Sequence, residues 1–296
     1  MSEPKSRAGG PDRVGIVGGG IMGTGIAEVC IKAGLDVNVV EVDAGAAEAA
    51  AGRVAHSLEH AVERGKLGER EVAEALTRLS CVEDFDALAD RTIVIEAVIE
   101  EREAKLDVFR RLTSVVADED AILASNTSSI PIVQLGAESG ERGDHVLGMH
   151  FFNPVPVLSL VEIIPSLLTD PAVVDRARAF ASETLGKDPI DAPDRAGFTV
   201  NALLVPYLLS AIRMFEQGLA TAEDIDQGMV KGCAHPMGPL ALCDLIGLDT
   251  VLSVAETLYS EQREQLFAPP PLLQRLVAAK MLGRKSGRGL YNYDET

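Results

Sequence analysis

Residues that mark several common classes of protein are scarce in this sequence. It contains no tryptophan, 4% aromatic residues, and only 27 lysines and arginines against 45 aspartates and glutamates. A general nucleic-acid-binding protein needs a basic face to neutralise phosphates, and attachment to an anionic membrane surface needs one too. The formal net charge of −18 therefore argues against a nucleic-acid partner and against a membrane partner. Any phosphate-bearing ligand must be bound by backbone N–H groups or by a local basic cluster.

Long apolar segments are also missing from the sequence. No apolar run reaches the roughly 18 residues that a membrane span requires. The first twelve residues, MSEPKSRAGGPD, are polar and lack the apolar core of a signal peptide. We expect residues 1–12 to form a loose tail.

Cysteine occurs at four positions, which are Cys30, Cys81, Cys233 and Cys243. They lie in apolar or helical patterns without a framework spacing, which is typical of free thiols in the reducing cytoplasm. Cys233, His235 and Cys243 match no familiar metal-binding spacing. The sequence predicts a cytoplasmic protein with free thiols and no metal site.

The first two-thirds of the chain alternates short apolar runs with helical patterns. The predicted strands are Arg13–Val17, Val37–Glu41, Thr92–Ala97, Ala121–Ser125, Val146–Phe152 and Ser159–Ile164. The predicted helices are Ile21–Ala33, Ala44–Arg64, Glu69–Leu79, Glu101–Ala117 and Pro171–Leu185. Because continuously apolar strands alternate with helices, we expect an α/β domain with a Rossmann-like, doubly wound, mostly parallel sheet.

After the segment DPIDAPDRAG the pattern becomes helical. From Val200 to near Gly218 apolar residues recur at helical spacing, and Pro206 is expected to kink this helix because its ring displaces one backbone hydrogen bond. Three further predicted helices are Thr221–Lys231, Leu240–Tyr259 and Pro271–Ala279. The predicted organisation is an α/β domain over residues 13–193 and a smaller all-helical domain over 194–296. The apolar stripe of the helix that begins at Val200 is wider than packing against one other helix requires. We therefore expect this second domain to form a homodimer.

A glycine-rich turn joins the first predicted strand to the first predicted helix. Its G-x-G-x-x-G positions are Gly18, Gly20 and Gly23, with Ile21 and Met22 between them. Glycine lets the backbone approach a diphosphate at a helix N-terminus. Glu41, at the end of the next strand, suits the ribose hydroxyls of NAD and would repel the additional phosphate of NADP. The alternative is a tight strand–helix turn followed by a solvated glutamate.

Two apolar runs in MHFFNPVPVLSLVEII each carry one polar residue, His150 and Glu162. A dehydrogenase that oxidises an alcohol must remove the hydroxyl proton, and histidine suits this step near neutral pH. A carboxylate that fixes the tautomer of the histidine ring would make the histidine a better proton acceptor. The alternative is a buried histidine bound to a backbone carbonyl, with a glutamate at a strand edge. The residues alone leave both interpretations open.

Several motifs together resemble the 3-hydroxyacyl-CoA dehydrogenase family. They are GGGIMGTGIA, IEAVIE, ASNTSSI, HFFNPVPV…LVEII, GFTVNALLVPY, HPMGPL…DLIGLD and GRKSGRGLY, and they extend from Arg13 to Tyr293. The sequence is most similar to the bacterial single-function members that act on 3-hydroxybutyryl-CoA. The resemblance implies that His150 is the catalytic acid/base and Glu162 its orienting partner. It also implies that Ser128 and Asn201 bind the 3-oxygen of the substrate, as hydrogen-bond donors can.

The resemblance further implies cofactor contacts, at Glu100, Lys105, Ser128, Asn153 and Lys285. On the residues alone, Lys105 is predicted to be a surface lysine of a helix.

The second predicted helix carries a local basic surface. Ser57, His60 and Arg64 share one face, and Arg53 and Lys66 are nearby. Ser57 and Arg64 match family positions that contact CoA. A solvated helix face is the alternative explanation.

From this resemblance we expect an enzyme that uses NAD to interconvert (S)-3-hydroxyacyl-CoA and 3-ketoacyl-CoA, with short acyl chains. One alternative retains the fold and chemistry but takes a carrier-protein thioester, or a hydroxy or sugar acid. A non-catalytic NAD-binding structural protein is the alternative from another class.

Overall fold

The computed structural model describes residues 12–293. The predicted N-terminal tail lies outside the described residues except for Asp12. Contacts between residues divide the chain into two compact units, the first ending at Asp194 and the second beginning at Arg195. Within the described part, no helix combines the length and the apolar character that crossing a membrane demands.

An eight-stranded sheet forms the centre of the first unit. Its strands are β1 (Arg13–Val17), β2 (Asp36–Val40), β3 (Leu79–Val82), β4 (Ile93–Glu96), β5 (Ile122–Ser125), β6 (Val146–Phe151), β7 (Leu160–Pro165) and β8 (Asp188–Asp191). Its helices are α1 (Ile21–Lys32), α2 (Ala44–Glu63), α3 (Glu69–Leu76), α4 (Arg102–Val115), α5 (Ile132–Glu138) and α6 (Pro171–Ala179).

The strand order is β3-β2-β1-β4-β5-β6-β7-β8, and only β6 and β7 pair in antiparallel fashion. The predicted doubly wound, mostly parallel sheet is confirmed. The chain first winds outward from β1 to β3 and then returns to β4 beside β1. In such sheets ligands bind at this reversal, beyond the carboxyl ends of the strands.

The burial of each strand explains whether the sequence pattern predicts that strand. All residues of β4, β5 and β6 are buried, as expected where helices cover both faces of a parallel sheet. The edge strands β3 and β8 were not predicted, because they are short and mostly exposed or half-buried. Pro189 within β8 is tolerated since an edge strand can lack a ladder donor.

The second unit is helical, as predicted. Its helices are α7 (Val200–Glu216), α8 (Ala222–Cys233), α9 (Pro239–Ile246), α10 (Leu248–Gln262) and α11 (Pro271–Ala278). The helix α7 continues through Pro206. The prediction of a single helix over Leu240–Tyr259 is wrong, because Gly247 has a φ of +101° and separates α9 from α10. The hydrophobic core of the second unit includes Leu208, Ile212 and Leu258.

Candidate functional site

The glycine turn lies between β1 and α1, at the reversal of strand order. Gly18 has a φ of +96°, and a Cβ there would come 2.7 Å from the carbonyl oxygen of Ala97. A Cβ at Gly20 would meet no described atom within 4 Å, so this backbone faces open space. Gly20 is the N-cap residue of α1, and no described side chain caps the first N–H groups of this helix. The turn therefore offers an open helix N-terminus, which suits a diphosphate.

Glu41 follows β2 and lies beside this turn. One carboxylate oxygen accepts a hydrogen bond from the backbone N–H of Gly19 at 2.7 Å, and the other accepts one from Val42 at 3.0 Å. Arg53 donates to the carbonyl oxygen of Gly19 at 2.7 Å. Since each carboxylate oxygen has about two acceptor sites, Glu41 can still bind ribose hydroxyls. The turn and Glu41 together fit a dinucleotide.

His150 and Glu162 are directly opposite each other in the antiparallel pair β6–β7. Nδ1 of His150 is 2.7 Å from Oε2 of Glu162, and the two residues are 4% and 0% exposed. On the other side of the ring, Nε2 lies 3.0 Å from Oγ of Ser128. The structure therefore brings three of the predicted residues into one chain of contacts within the first unit.

Ser128 lies in a segment that Glu100 holds in place. Oε1 of Glu100 accepts hydrogen bonds from the backbone N–H groups of Ser128 and Ser129, at 2.9 and 3.1 Å, and from the hydroxyls of Thr127 and Ser129. Burial alone would raise the pKa of the Glu100 carboxyl. The charge of Lys105 and these hydrogen bonds outweigh burial, so that this pKa lies below its ordinary value.

Lys105 is 1% exposed, so the prediction of a surface lysine was wrong. Its Nζ lies 2.6 Å from Oε1 of Glu96 and 3.2 Å from Oε2 of Glu100. Glu96 is fully buried at the end of β4. A lysine can be buried in this way because paired carboxylates compensate its charge.

Two other predicted residues border a cavity of about 210 Å³ between α1, α2 and the turn after β6. They are Ser57 and Asn153, and Ile21 also lines this space. Ser57 donates a hydrogen bond of 2.6 Å to Glu28, which is 3% exposed. Arg64 is exposed at the C-terminal end of α2.

The remaining basic residues of that surface are partly engaged elsewhere. His60 lies 2.9 Å from Glu63, and Arg53 is directed to the glycine turn. Lys66 is exposed just beyond α2. The predicted basic surface is therefore reduced mainly to Arg64 and Lys66.

Two predicted residues belong to the second unit. Asn201 is half-buried in the first turn of α7. Lys285 follows α11 and its Nζ lies 2.6 Å from Asp249. Burial would raise the pKa of Asp249, but Lys285 and backbone hydrogen bonds lower it below its ordinary value.

Three buried polar residues support the site but received no role from the sequence. Glu96 binds Lys105, and Asn126 accepts a hydrogen bond from the N–H of Phe151 at 2.8 Å, directly after His150. Lys187 donates to the carbonyl oxygen of Leu158 at 2.7 Å and so fixes the turn between β6 and β7. Glu96 and Asn126 lie inside the motifs IEAVIE and ASNTSSI, which could have indicated them.

Comparison with known proteins gives matches to both units. A model described as "3-hydroxyacyl-CoA dehydrogenase, NAD binding domain" matches residues 13–195, and one described as "3-hydroxyacyl-CoA dehydrogenase, C-terminal domain" matches residues 197–293. A 3-hydroxybutyryl-CoA dehydrogenase of Mycobacterium tuberculosis strain H37Rv is 53% identical over 281 residues, which are 95% of this chain and 98% of that relative.

Solved structures resemble the chain over the same extent. The crystal structure of FadB2 from Mycobacterium tuberculosis has a TM-score of 0.94 and 53% identity, and the match covers 95% of this chain and 99% of that one. The (S)-3-hydroxybutyryl-CoA dehydrogenase PaaH1 from Ralstonia eutropha has a TM-score of 0.91 and 44% identity, with 96% and 100% covered.

Proposed function

Because the chain belongs to the 3-hydroxyacyl-CoA dehydrogenase family, we propose that it is an NAD-dependent oxidoreductase that interconverts (S)-3-hydroxyacyl-CoA and 3-ketoacyl-CoA. The observation that carries the proposal is the buried contact of His150 with Glu162, with Ser128 at the other ring nitrogen. Relatives similar over nearly the whole chain are named 3-hydroxybutyryl-CoA dehydrogenases, so the proposed substrate has a short acyl chain.

Nε2 of His150 is the proposed proton acceptor in the oxidative direction. The carboxylate of Glu162 only accepts hydrogen bonds, so it favours a hydrogen on Nδ1 and leaves the lone pair on Nε2. When Nε2 takes the hydroxyl proton, the same carboxylate stabilises the imidazolium that forms. Ser128 donates a hydrogen bond to the 3-oxygen, and Asn201 is the second proposed donor.

The glycine turn and Glu41 form the proposed NAD site. Backbone N–H groups from Ile21 to Gly23 bind the diphosphate, since no described side chain caps them. When bound, NAD supplies the hydride acceptor. Further proposed contacts come from four residues, which are Glu100, Ser128, Asn153 and Lys285.

We expect the substitution Glu41→Ala to weaken NAD binding by about tenfold, as the loss of hydrogen bonds to a charged group implies. It should also reduce the preference for NAD over NADP, because the carboxylate that repels the additional phosphate is removed. Dissociation constants for both cofactors, obtained by calorimetry, measure this. The exposed Glu48→Ala on α2 changes the net charge equally and should alter neither constant. An unchanged cofactor preference in Glu41→Ala would refute the assignment.

The substrate class is tested by NADH oxidation with acetoacetyl-CoA, the acetoacetyl thioester of acyl carrier protein, and free acetoacetate. We expect kcat/KM to be at least about tenfold higher with the CoA thioester, because binding energy from the non-reacting part of a substrate promotes catalysis. A preference for the carrier thioester or the free acid would support the corresponding alternative substrate. Absence of turnover with all three would favour a non-catalytic NAD-binding protein.

CoA is proposed to contact Ser57 and Arg64 on α2. The exposed guanidinium of Arg64 suits a phosphate of CoA. We further propose the cytoplasm as the site of action, in keeping with four free cysteines.

The helical unit is proposed to mediate a homodimer. Leu203 and Met214 lie on α7 and are 72% and 45% exposed. Met214 also lines a largely apolar depression of about 360 Å³, together with Tyr207 and Met229 among others. Such exposed apolar surface is typical of an interaction site.

We expect light scattering at micromolar concentration to give twice the chain mass of 31.4 kDa. Leu203→Asp should give the monomer mass, because a charge would be buried in the interface. Leu167→Asp alters a residue of the first unit that is 95% exposed and should remain dimeric. A monomeric wild-type chain would contradict the proposal.

A further inference from the structure

The ammonium of Lys105 is surrounded by acceptor groups of the protein. Its Nζ lies 2.6 Å from Oε1 of Glu96, 3.2 Å from Oε2 of Glu100 and 3.3 Å from the carbonyl oxygen of Val98. The ammonium donates hydrogen bonds to Glu96 and to the carbonyl oxygen of Val98, and its contact with Glu100 is an ion pair. With 1% of the residue exposed, Lys105 has little surface to offer a ligand.

Both carboxylates that bind Lys105 are linked to the segment Thr127–Ser129, Glu100 directly and Glu96 through Ser125. Glu100 accepts hydrogen bonds from two backbone N–H groups and two hydroxyls of that segment. Oε2 of Glu96 accepts one from the hydroxyl of Ser125 at 2.6 Å, and the oxygen of that hydroxyl in turn accepts one from the N–H of Thr127 at 3.1 Å. The segment is thus held from two directions, with the lysine between the two carboxylates.

The middle residue of this segment is Ser128, whose Oγ lies 3.0 Å from Nε2 of His150. We propose that Lys105, held by Glu96 and Glu100, is a positioning residue that sets Ser128 against His150. The proposal rests on the proposed function, in which Ser128 and His150 act on the substrate oxygen. It replaces the direct cofactor contact that the family resemblance implies for Lys105.

The physical reason is the balance of buried charge. Without the ammonium, two carboxylates would face each other, one of them fully buried at Glu96. Like charges in such a setting repel strongly, so the half-exposed Glu100 would move away. Its movement would release the N–H groups of Ser128 and Ser129. A displacement of about 1 Å in a positioning group can cost on the order of 100-fold in rate.

The test uses Lys105→Met with Arg91→Met as the matched control. Arg91 is a buried cation, 5% exposed, that lies within 3.1 Å of Asp36 and 2.8 Å of Asp90 before β4. It is therefore at the opposite end of the strand from Glu96. Thermal unfolding of both variants shows whether they lose comparable stability.

Three measurements distinguish positioning from cofactor contact. Amide hydrogen exchange of Thr127–Ser129 in the unliganded protein should accelerate in Lys105→Met and remain unchanged in Arg91→Met. The dissociation constant for NADH, followed by NADH fluorescence, should rise by less than about tenfold, through the displaced Glu100 and Ser128, while kcat falls by about 10- to 100-fold. In a Ser128→Ala background, Lys105→Met should cost no further kcat, since residues that act as a unit are non-additive.

Unchanged exchange together with at least tenfold weaker NADH binding would overturn the proposal in favour of direct cofactor contact. Additive losses of kcat would also overturn it. If the wild-type chain fails to reduce 3-ketoacyl-CoA, the proposed function fails. Amide exchange and NADH binding can still be measured in that case, and they test the positioning role of Lys105 independently. If Lys105→Met does not fold, Ser125→Ala removes the neutral link from Glu96 and should accelerate exchange at Thr127. Unchanged exchange there would contradict the proposal.

Discussion

Replacing His150 with glutamine is expected to lower kcat at least about 100-fold, the low end of what a positioned acid/base contributes. Glutamine retains hydrogen-bonding capacity but cannot take a proton from the substrate near neutral pH. The dissociation constant for NADH should change little, because His150 lies in β6 and the glycine turn follows β1. Steady-state kinetics with acetoacetyl-CoA and NADH fluorescence measure the two quantities.

His145 supplies the control for this substitution. It precedes β6 and lies 3.0 Å from Asp144, and it takes no part in the contacts described above for Ser128 and Glu162. His145→Gln should therefore retain wild-type kcat. Near-wild-type turnover in His150→Gln would remove His150 from the proton step.

Glu162→Gln is expected to lower kcat by on the order of 100-fold or more, as loss of the orienting carboxylate does in comparable His–carboxylate pairs. The amide nitrogen can donate to Nδ1, which would place the ring hydrogen on Nε2 and remove the proton acceptor. The amide also cannot stabilise the imidazolium as a carboxylate does. Steady-state kinetics with acetoacetyl-CoA give the loss.

The double variant His150→Gln/Glu162→Gln determines whether the two residues act together. If Glu162 acts through His150, the double variant should be no slower than His150→Gln alone. Multiplied losses in the double variant would show that Glu162 has a separate role, and full activity in Glu162→Gln would exclude it from the mechanism.

Much of the fold follows from the sequence because the central strands are buried on both faces. In β4 and β5 this burial produces continuous apolar runs between helical patterns. The same criterion fails for β8, DPID, which is polar because it lies at the edge of the sheet. It also misses α5, whose seven residues are too few to establish a helical period.

Within the site, the opposition of His150 and Glu162 was one of two alternatives that the sequence left open. The register of β6 and β7 settles their geometry, because it places these residues directly across from each other. Register depends on the whole strand pair and its turn, which explains why a spacing of twelve residues could not establish it.

Lys105 shows a different kind of error. Charged side chains are rarely fully buried, so a lysine on a helix is normally assigned to the surface. Yet Lys105 precedes the buried residues Phe109 and Leu112 by four and seven positions, which places it on the same helix face. Its burial is possible only because Glu96 and Glu100 lie against that face, a tertiary arrangement beyond the reach of local pattern.

Whether this chain oxidises (S)-3-hydroxyacyl-CoA with NAD is tested by following NAD reduction by the purified protein with (S)-3-hydroxybutyryl-CoA. We expect NADH formation with the (S) substrate, none with its (R) enantiomer, and near-complete loss of the signal in His150→Gln. Equal rates with both enantiomers, or no NADH from the (S) substrate, would contradict it.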